Sequence, residues 1–523
     1  MPRQIHFIST ALVSIVLAFA GVFQPPASSS QQSPQTTTAA ARNAALIAAT
    51  ADVLKETSEI RQLAILRPVQ SSTQSRPEIE RMIVKNLDEE TTPAQIHAAE
   101  ITLKKLGLAP PDFQYRALML RVLTEQVAGY YDPKTGEFHL ADWIDLDGQR
   151  PIMAHELTHA LQDQHFKLRR FEHWPKGDSD AELAVHALIE GDATLAMALY
   201  VANNPLRVLL FLKSLGASGM ASQELDKAPQ ALRETLLFPY QQGTDWTRSL
   251  YKQAGWDRVS KAFTELPQST EQILHPEKYF AHEAAVKVTL PDITSLLNAG
   301  APSANSGRWA VRSGQQASSV GRLSDEIIQP IAGSAGDSPA LSAQREQFVN
   351  AGRSTGLGRA NMKSLSPALA GGSSNQAGWK RLDYDVEGEW GFYLILDEFL
   401  KSPVESRRAA AGWGGDRFAV YEGPKGEVLF VSLSTWDREN DAREFFDAYA
   451  KRTELRYPGT AKSSNTASSN AGAADNQQSP SERRSFRTAE GTVAIELRGS
   501  RVLILEGLPE QTTPQPLSRL IWQ

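Results

Sequence analysis

A break in composition constrains this chain before any motif does. Between residues 301 and 377, Ser, Gly, Ala, Asn and Gln dominate and apolar residues do not run together. Such a stretch cannot bury enough apolar surface to hold one conformation. It reads as a low-complexity linker with, at most, a short helix near 338–350. The fold therefore has two parts to place, one before residue 301 and one after residue 377. A chain of 523 residues has room for two or three ordinary domains, and a hydrophobic share of 41% can give each part a core.

The two parts differ in period. Residues 45–66 and 78–86 space their apolar side chains as helices do. Thr92 followed by Pro93 opens another helix, which Gly107 stops. Residues 127–140 change character: two β-type runs flank the turn residues Asp132, Pro133 and Gly136, which predicts a hairpin. After the linker, 390–399 are strongly apolar, and 417–422 and 428–435 read as strands around the turn 423–426. Residues 437–452 read as an amphipathic helix, 458–482 as a polar insertion, and 493–497 with 501–505 as a last hairpin. The expected fold class is α+β: a mainly helical domain over 45–300 with a short hairpin, then a smaller α+β domain over 378–523. Trp390, Trp413 and Trp436 are expected in its core. No tandem repeat is present.

The N-terminus reads as an export signal over residues 1–20. Arg3 precedes an apolar stretch over 7–20, and Ala18-Phe19-Ala20 has the small-x-small pattern of a cleavage site. Left uncleaved, the uncharged run 5–23 approaches the length of a membrane anchor, the one circumstance in which a membrane is expected as a partner. Residues 21–44 read as a disordered leader. The expected location is periplasmic or extracellular.

The chain contains no cysteine. That excludes disulfides, thiolate nucleophiles, Cys-type zinc sites and a lipid-bearing cysteine. Any metal must be held by His and carboxylate ligands. A net charge of −6 gives no electrostatic reason to expect nucleic acid.

Residues 155–159 (HELTH) carry the chemistry. Two histidines four apart on a helix lie one turn above each other and point the same way, so His155 and His159 can grip one zinc ion. Glu156, on the same side, can act as general base without ligating the metal. Ala154, Leu157, Ala160 and Leu161 supply an apolar face, as a packed helix requires.

A catalytic zinc takes three protein ligands and keeps one position open. His165 has the spacing of a metzincin third ligand, but Gln162 stands where those families need a turning glycine, so a continuing helix carries His165 away. Glu190 is the better candidate. It lies in an apolar helical stretch over 179–200, where a carboxylate is costly unless paired or metal-bound. Glu182, His186 and Glu190 share one face; Glu182 reads as solvated, and Gly191 would let this helix approach the motif helix.

Residues 155–163 (HELTHALQD), followed by Glu190-Gly191-Asp192-Ala193, resemble the gluzincin branch of the zincins, thermolysin-like peptidases included. They are closer still to uncharacterised exported bacterial proteins of that clan, which pair a GYYDP hairpin with this motif. The likeness covers roughly 110–280 and implies a zincin-like catalytic domain, one zinc ion and a protein or peptide substrate. Where thermolysin-like enzymes carry an Asp four residues after the ligand Glu, this chain has Thr194, which leaves Asp192 or Asp163 to orient a ligand. The segment 267–279 also resembles those proteins. His275, Tyr279 and Tyr240 are the candidates to steady the oxyanion. A zinc peptidase is therefore expected. The competing expectation is a non-catalytic zinc-fold protein in binding or envelope assembly, for which Glu156 would have no purpose.

Overall fold

The computed structural model describes residues 39–299 and 378–523, apart from 144–145, 147, 173–174, 176, 210–222, 460, 464–480 and 511. The export signal, most of the leader and the linker lie outside the described residues, as does most of the polar insertion.

Local sequence explains the helices of the leading part. Helix α1 is Ala39–Arg61, starting before the expected position. Helices α2 (Arg76–Glu90) and α3 (Pro93–Leu106) both open with a proline in the first turn and a capping box, Ser75 with Glu78 and Thr92 with Gln95. Gly107 ends α3 in the left-handed conformation, at φ 74°. Helix α4 (Tyr115–Gln126) leads into the hairpin of β2 (Gly129–Asp132) and β3 (Glu137–Ala141). A further strand, β1 (Gln70–Gln74), pairs parallel with β3 in the order β1-β3-β2. Its sequence, QSSTQ, has no apolar alternation by which it could be read as a strand.

Three long helices form the centre: α5 (Arg150–Phe166), α6 (Ser179–Ala202) and α7 (Gln230–Ala262), the last kinked at Ala254 and Gly255. Leu46, Ala49, Val53 and Leu54 of α1 pack on Met153, Ala154, Leu157 and Leu161 of α5. The face of α5 bearing the histidines is thereby turned to α6. Helices α6 and α7 cross closely at two glycines: a Cβ on Gly191 would lie 2.2 Å from the Gly243 carbonyl oxygen, and one on Gly243 would lie 2.2 Å from that of Ala187. Gly191 thus serves the approach of α7, not that of the motif helix. A short helix, α8 (Thr270–Leu274), follows.

Among the described residues, the trailing part holds an antiparallel sheet of seven strands, ordered β4-β5-β6-β10-β9-β8-β7. The strands are β4 (Lys380–Asp385), β5 (Trp413–Glu422), β6 (Val428–Trp436), β7 (Ala461–Ser463), β8 (Ser481–Thr488), β9 (Gly491–Arg498) and β10 (Arg501–Leu508). Helix α9 (Gly388–Leu400) is the apolar run after the linker, and α10 (Glu439–Arg456) is the amphipathic helix. Strand alternation sorts the sheet's two faces. Phe418, Val420, Phe430, Val502 and Ile504 join the core with α9, α10 and the leading helices. Ala419, Tyr421, Leu429, Val431, Leu503 and Leu505 face the other way. That second face is covered by Val288, Leu290, Ile293 and Leu297 from before the linker, and by α11 (Pro514–Ile521). Residues on the two sides of 302–376 therefore make one compact unit. Trp390, Trp413 and Trp436 are all core residues. The class is mixed α+β, with helices concentrated before the linker and the larger sheet after it.

Candidate metal centre

Helix α5 runs unbroken from Arg150 to Phe166, so His155 and His159 stand one turn apart on its buried face. Glu190 comes from the middle of α6. The Nε2 atoms of the two histidines are 3.0 Å apart. Glu190 Oε2 lies 3.1 Å from His155 Nε2 and 3.5 Å from His159 Nε2. Tetrahedral coordination with ligand bonds of about 2.0–2.1 Å separates donor atoms by roughly 3.4 Å. Two imidazole nitrogens and a carboxylate oxygen at these separations fit a zinc ion in both chemistry and spacing. Among the described residues, no fourth His, Asp or Glu joins this group.

The surroundings set the ligands' protonation. Burial pushes the His155 imidazole below its ordinary value, towards the neutral form that ligates. Burial acts to raise the Glu190 carboxyl, but the two histidines beside it win and hold it well below the usual range. His159 Nδ1 is 2.8 Å from Gln162 Oε1. Gln162 was legible only as a good helix former, yet it lies three residues on, on the same face, which is the local signal for such a contact. Its amide reaches Asp192, so Asp192 serves the group through Gln162. Asp163 instead accepts from the Tyr131 hydroxyl and from Arg67.

Glu156 is fully buried, and its Oε2 accepts the backbone N–H of Tyr131 at 2.8 Å. In the β2–β3 register Tyr130 and Asp132 alternate with Tyr131, so the Tyr131 N–H points off the free edge of β2, towards α5. The hairpin expected beside the motif thus holds the carboxylate expected to be the base.

Tyr240 also reaches the group. The Gly191–Gly243 crossing brings α7 close enough to set the Tyr240 ring over His155, with centroids 6.2 Å apart and planes at 28°. Burial, followed by the charges of Glu190 and Glu156, raises its phenol far above the ordinary value. Tyr240 is therefore a neutral donor. The other two oxyanion candidates have partners elsewhere. His275 Nε2 lies 2.9 Å from Glu389, whose hydrogen bond raises its pKa. The Tyr279 hydroxyl donates to the Glu265 carbonyl at 2.7 Å, and its ring packs on Trp246. The structure brings neither to the metal group. His165 bonds the Ala64 carbonyl at 2.8 Å, as a continuing helix requires. Glu182, expected to be solvated, is only 2% exposed.

Residues 376–517 match a family described as a domain of unknown function (DUF8575). The match takes in the large sheet and none of the metal group. No curated protein and no solved structure matches the chain. The chemistry of the helical part therefore rests on its own side chains.

A second acidic trio offers a contrast. Glu271, Glu283 and Asp437 also lie close enough together to hold a cation. Lys278 Nζ stands 2.7, 2.7 and 2.5 Å from them and supplies that positive charge itself.

Proposed function

We propose that this chain is an exported zinc-dependent metallopeptidase of the gluzincin type, with a zincin-like catalytic domain built around α5 and α6. The observation that carries the reading is the convergence of His155, His159 and Glu190 on one point, beside a Glu156 held by a strand edge. His155, His159 and Glu190 would hold the ion, which supplies Lewis acidity, acidifying water and polarising a carbonyl. Glu156 takes a proton from a water beside the group and passes it to the leaving nitrogen. The Tyr131 N–H fixes where that carboxylate points. Tyr240 replaces His275 and Tyr279 as the donor to the carbonyl oxygen as charge develops there.

One observation favours the second reading, a zinc-fold protein without turnover. His155 is 1% exposed, His159 and Glu156 are 0%, and Glu190 is only 8%. A peptide has to enter on the side of Glu190 and the partly exposed Tyr240. Metal content by atomic spectroscopy, beside digestion of an unbiased peptide library, separates the readings. One zinc per chain with hydrolysis supports the peptidase. Zinc without hydrolysis moves the binding protein ahead, and no zinc removes both. Sequencing the exported protein's N-terminus tests the signal, for which a start near Gly21 is expected.

A further inference from the structure

Arg61, the last residue of α1, is fully buried and ends 131 residues from its partner in sequence. Its Nε lies 2.5 Å from Asp192 Oδ1, both side chains being 0% exposed. Nη1 donates to Ser260 at 3.1 Å, and the guanidinium stands 4.4 Å from the centre of the Trp256 ring. A buried ion pair is weak evidence of stability, because desolvation offsets most of its attraction. The reason for this one lies at the other carboxylate oxygen.

Asp192 Oδ2 accepts from Gln162 Nε2 at 2.9 Å, and the Ile189 carbonyl accepts from the same nitrogen at 3.0 Å. Both N–H bonds of the amide are thereby committed, which settles which end is oxygen. That oxygen can only accept, so His159 carries its proton on Nδ1. A neutral imidazole protonated on Nδ1 has its lone pair on Nε2, the atom 3.0 Å from His155 Nε2. Were the amide turned over, its N–H would face Nδ1 and the proton would sit on Nε2, among the ligand atoms.

We propose that Arg61 is a positioning residue for the metal group: by fixing Asp192, and through it Gln162, it holds His159 in the tautomer that ligates. The proposal rests on the metal reading above and deepens it. It makes α1 a working part of the site.

The test uses the full chain. Arg61→Met removes the guanidinium. Gln162→Leu cuts the relay while leaving the ion pair intact, and so serves even if Arg61→Met fails to fold. Arg61→Lys keeps the charge without the fork. Arg452→Met is the control, because it breaks a second fully buried pair, with Glu506, that joins α10 to β10 and shares no partner with the group. Zinc affinity by chelator competition, the absorption spectrum of the cobalt-loaded protein and the melting temperature of the metal-free protein are read for each. Arg61→Met and Gln162→Leu should each weaken zinc about 10- to 100-fold and shift the cobalt spectrum. The double variant should be no worse than the worse single, since both act through one path. Arg61→Lys should fall between wild type and Arg61→Met. Arg452→Met should lower the melting temperature and leave affinity and spectrum alone. Unchanged affinity and spectrum in folded Gln162→Leu or Arg61→Met overturns the proposal, as do losses that multiply in the double variant. Wild type that binds neither zinc nor cobalt overturns the metal reading itself, a different result.

Discussion

Helix α6 buries carboxylates at two places, and the two are solved in opposite ways. In its middle, Glu190 and Asp192 face His155, His159 and Arg61. At its N-terminal end, Asp180 meets the junction with the large sheet, where Asp385, Glu387 and Asp416 gather. Donors there are neutral: Thr270 bonds Asp180, Ser179 bonds Asp385, and the Gly388 N–H with the Trp413 indole bonds Asp416. Burial consequently raises Asp180 and Glu387 well above the ordinary range and pushes Asp385 up to about 7 and Asp416 to about 6. Glu190 goes the other way. A buried carboxylate among hydrogen-bond donors alone tends to keep its proton, while one beside imidazoles gives it up. The first is a structural joint; the second belongs to a group that could hold a metal ion.

The largest effects should separate the roles within the metal group. Glu156→Gln should keep zinc and lower peptide hydrolysis about 10²- to 10⁴-fold, the usual worth of a general base. Equal loss of metal and turnover would make Glu156 a structural residue. Glu190→Ala should cost zinc more than the ~10- to 100-fold expected of a residue that only orients a ligand. Retention of one zinc per chain in that variant would show that the third ligand is misassigned.

At the joint, Gly388→Ala should destabilise the chain strongly. Gly388 sits at φ +72°, and a Cβ there would lie 1.7 Å from Asp180 Oδ1. The left-handed backbone alone costs a non-glycine residue about 1–2 kcal/mol, and the clash adds to it. Thermal melting should show the loss, with zinc affinity in the surviving folded protein unchanged; a fall in affinity would mean that joint and metal group are coupled along α6.

Linkage gives the joint a pH signature. The unfolded carboxyls lose their protons near pH 4, while the folded ones keep theirs up to about 6 for Asp416 and about 7 for Asp385. The folded state then binds more protons, so this contribution to stability is full below about pH 4 and is lost as pH rises through about 7. Denaturant titrations from pH 5 to 8 should show falling stability. A rise over that range would reverse the comparison between the two ends of α6. The smallest effect is expected of His165→Ala, which should leave zinc and turnover alone and cost about 0.5–1.5 kcal/mol, one hydrogen bond. Loss of zinc in that variant would restore the metzincin-like alternative.

Much of this was legible locally. The cap at Thr92, the stop at Gly107 and the turn chemistry at 132–136 each act within a few residues, so reading them needs no partner. The donor set His155, His159 and Glu190 was legible for a related reason: helical spacing fixes the first two, and a carboxylate in an apolar helix is too costly to be incidental. The polar strand Gln70–Gln74 was not legible, because it exists only by pairing with β3.

By itself, then, the sequence determined the elements whose causes are close along the chain: the helices that carry a periodic apolar face, the hairpin, the four strands β5, β6, β9 and β10 at the centre of the large sheet, and the histidine pair. Tertiary structure alone decided what depends on remote approach. It placed Tyr240 over His155 through the crossing of Gly191 and Gly243, and gave His275 and Tyr279 to Glu389 and Glu265. It also ran one core across a linker that composition reads as a divide, because Val288, Leu290, Ile293 and Leu297 cover a sheet face made of residues beyond it. Arg61 shows why such choices escape a linear reading. Nothing within α1 marks that arginine as different from any other at a helix end, and its meaning comes from Asp192, brought within 2.5 Å by packing among helices that no local rule orients.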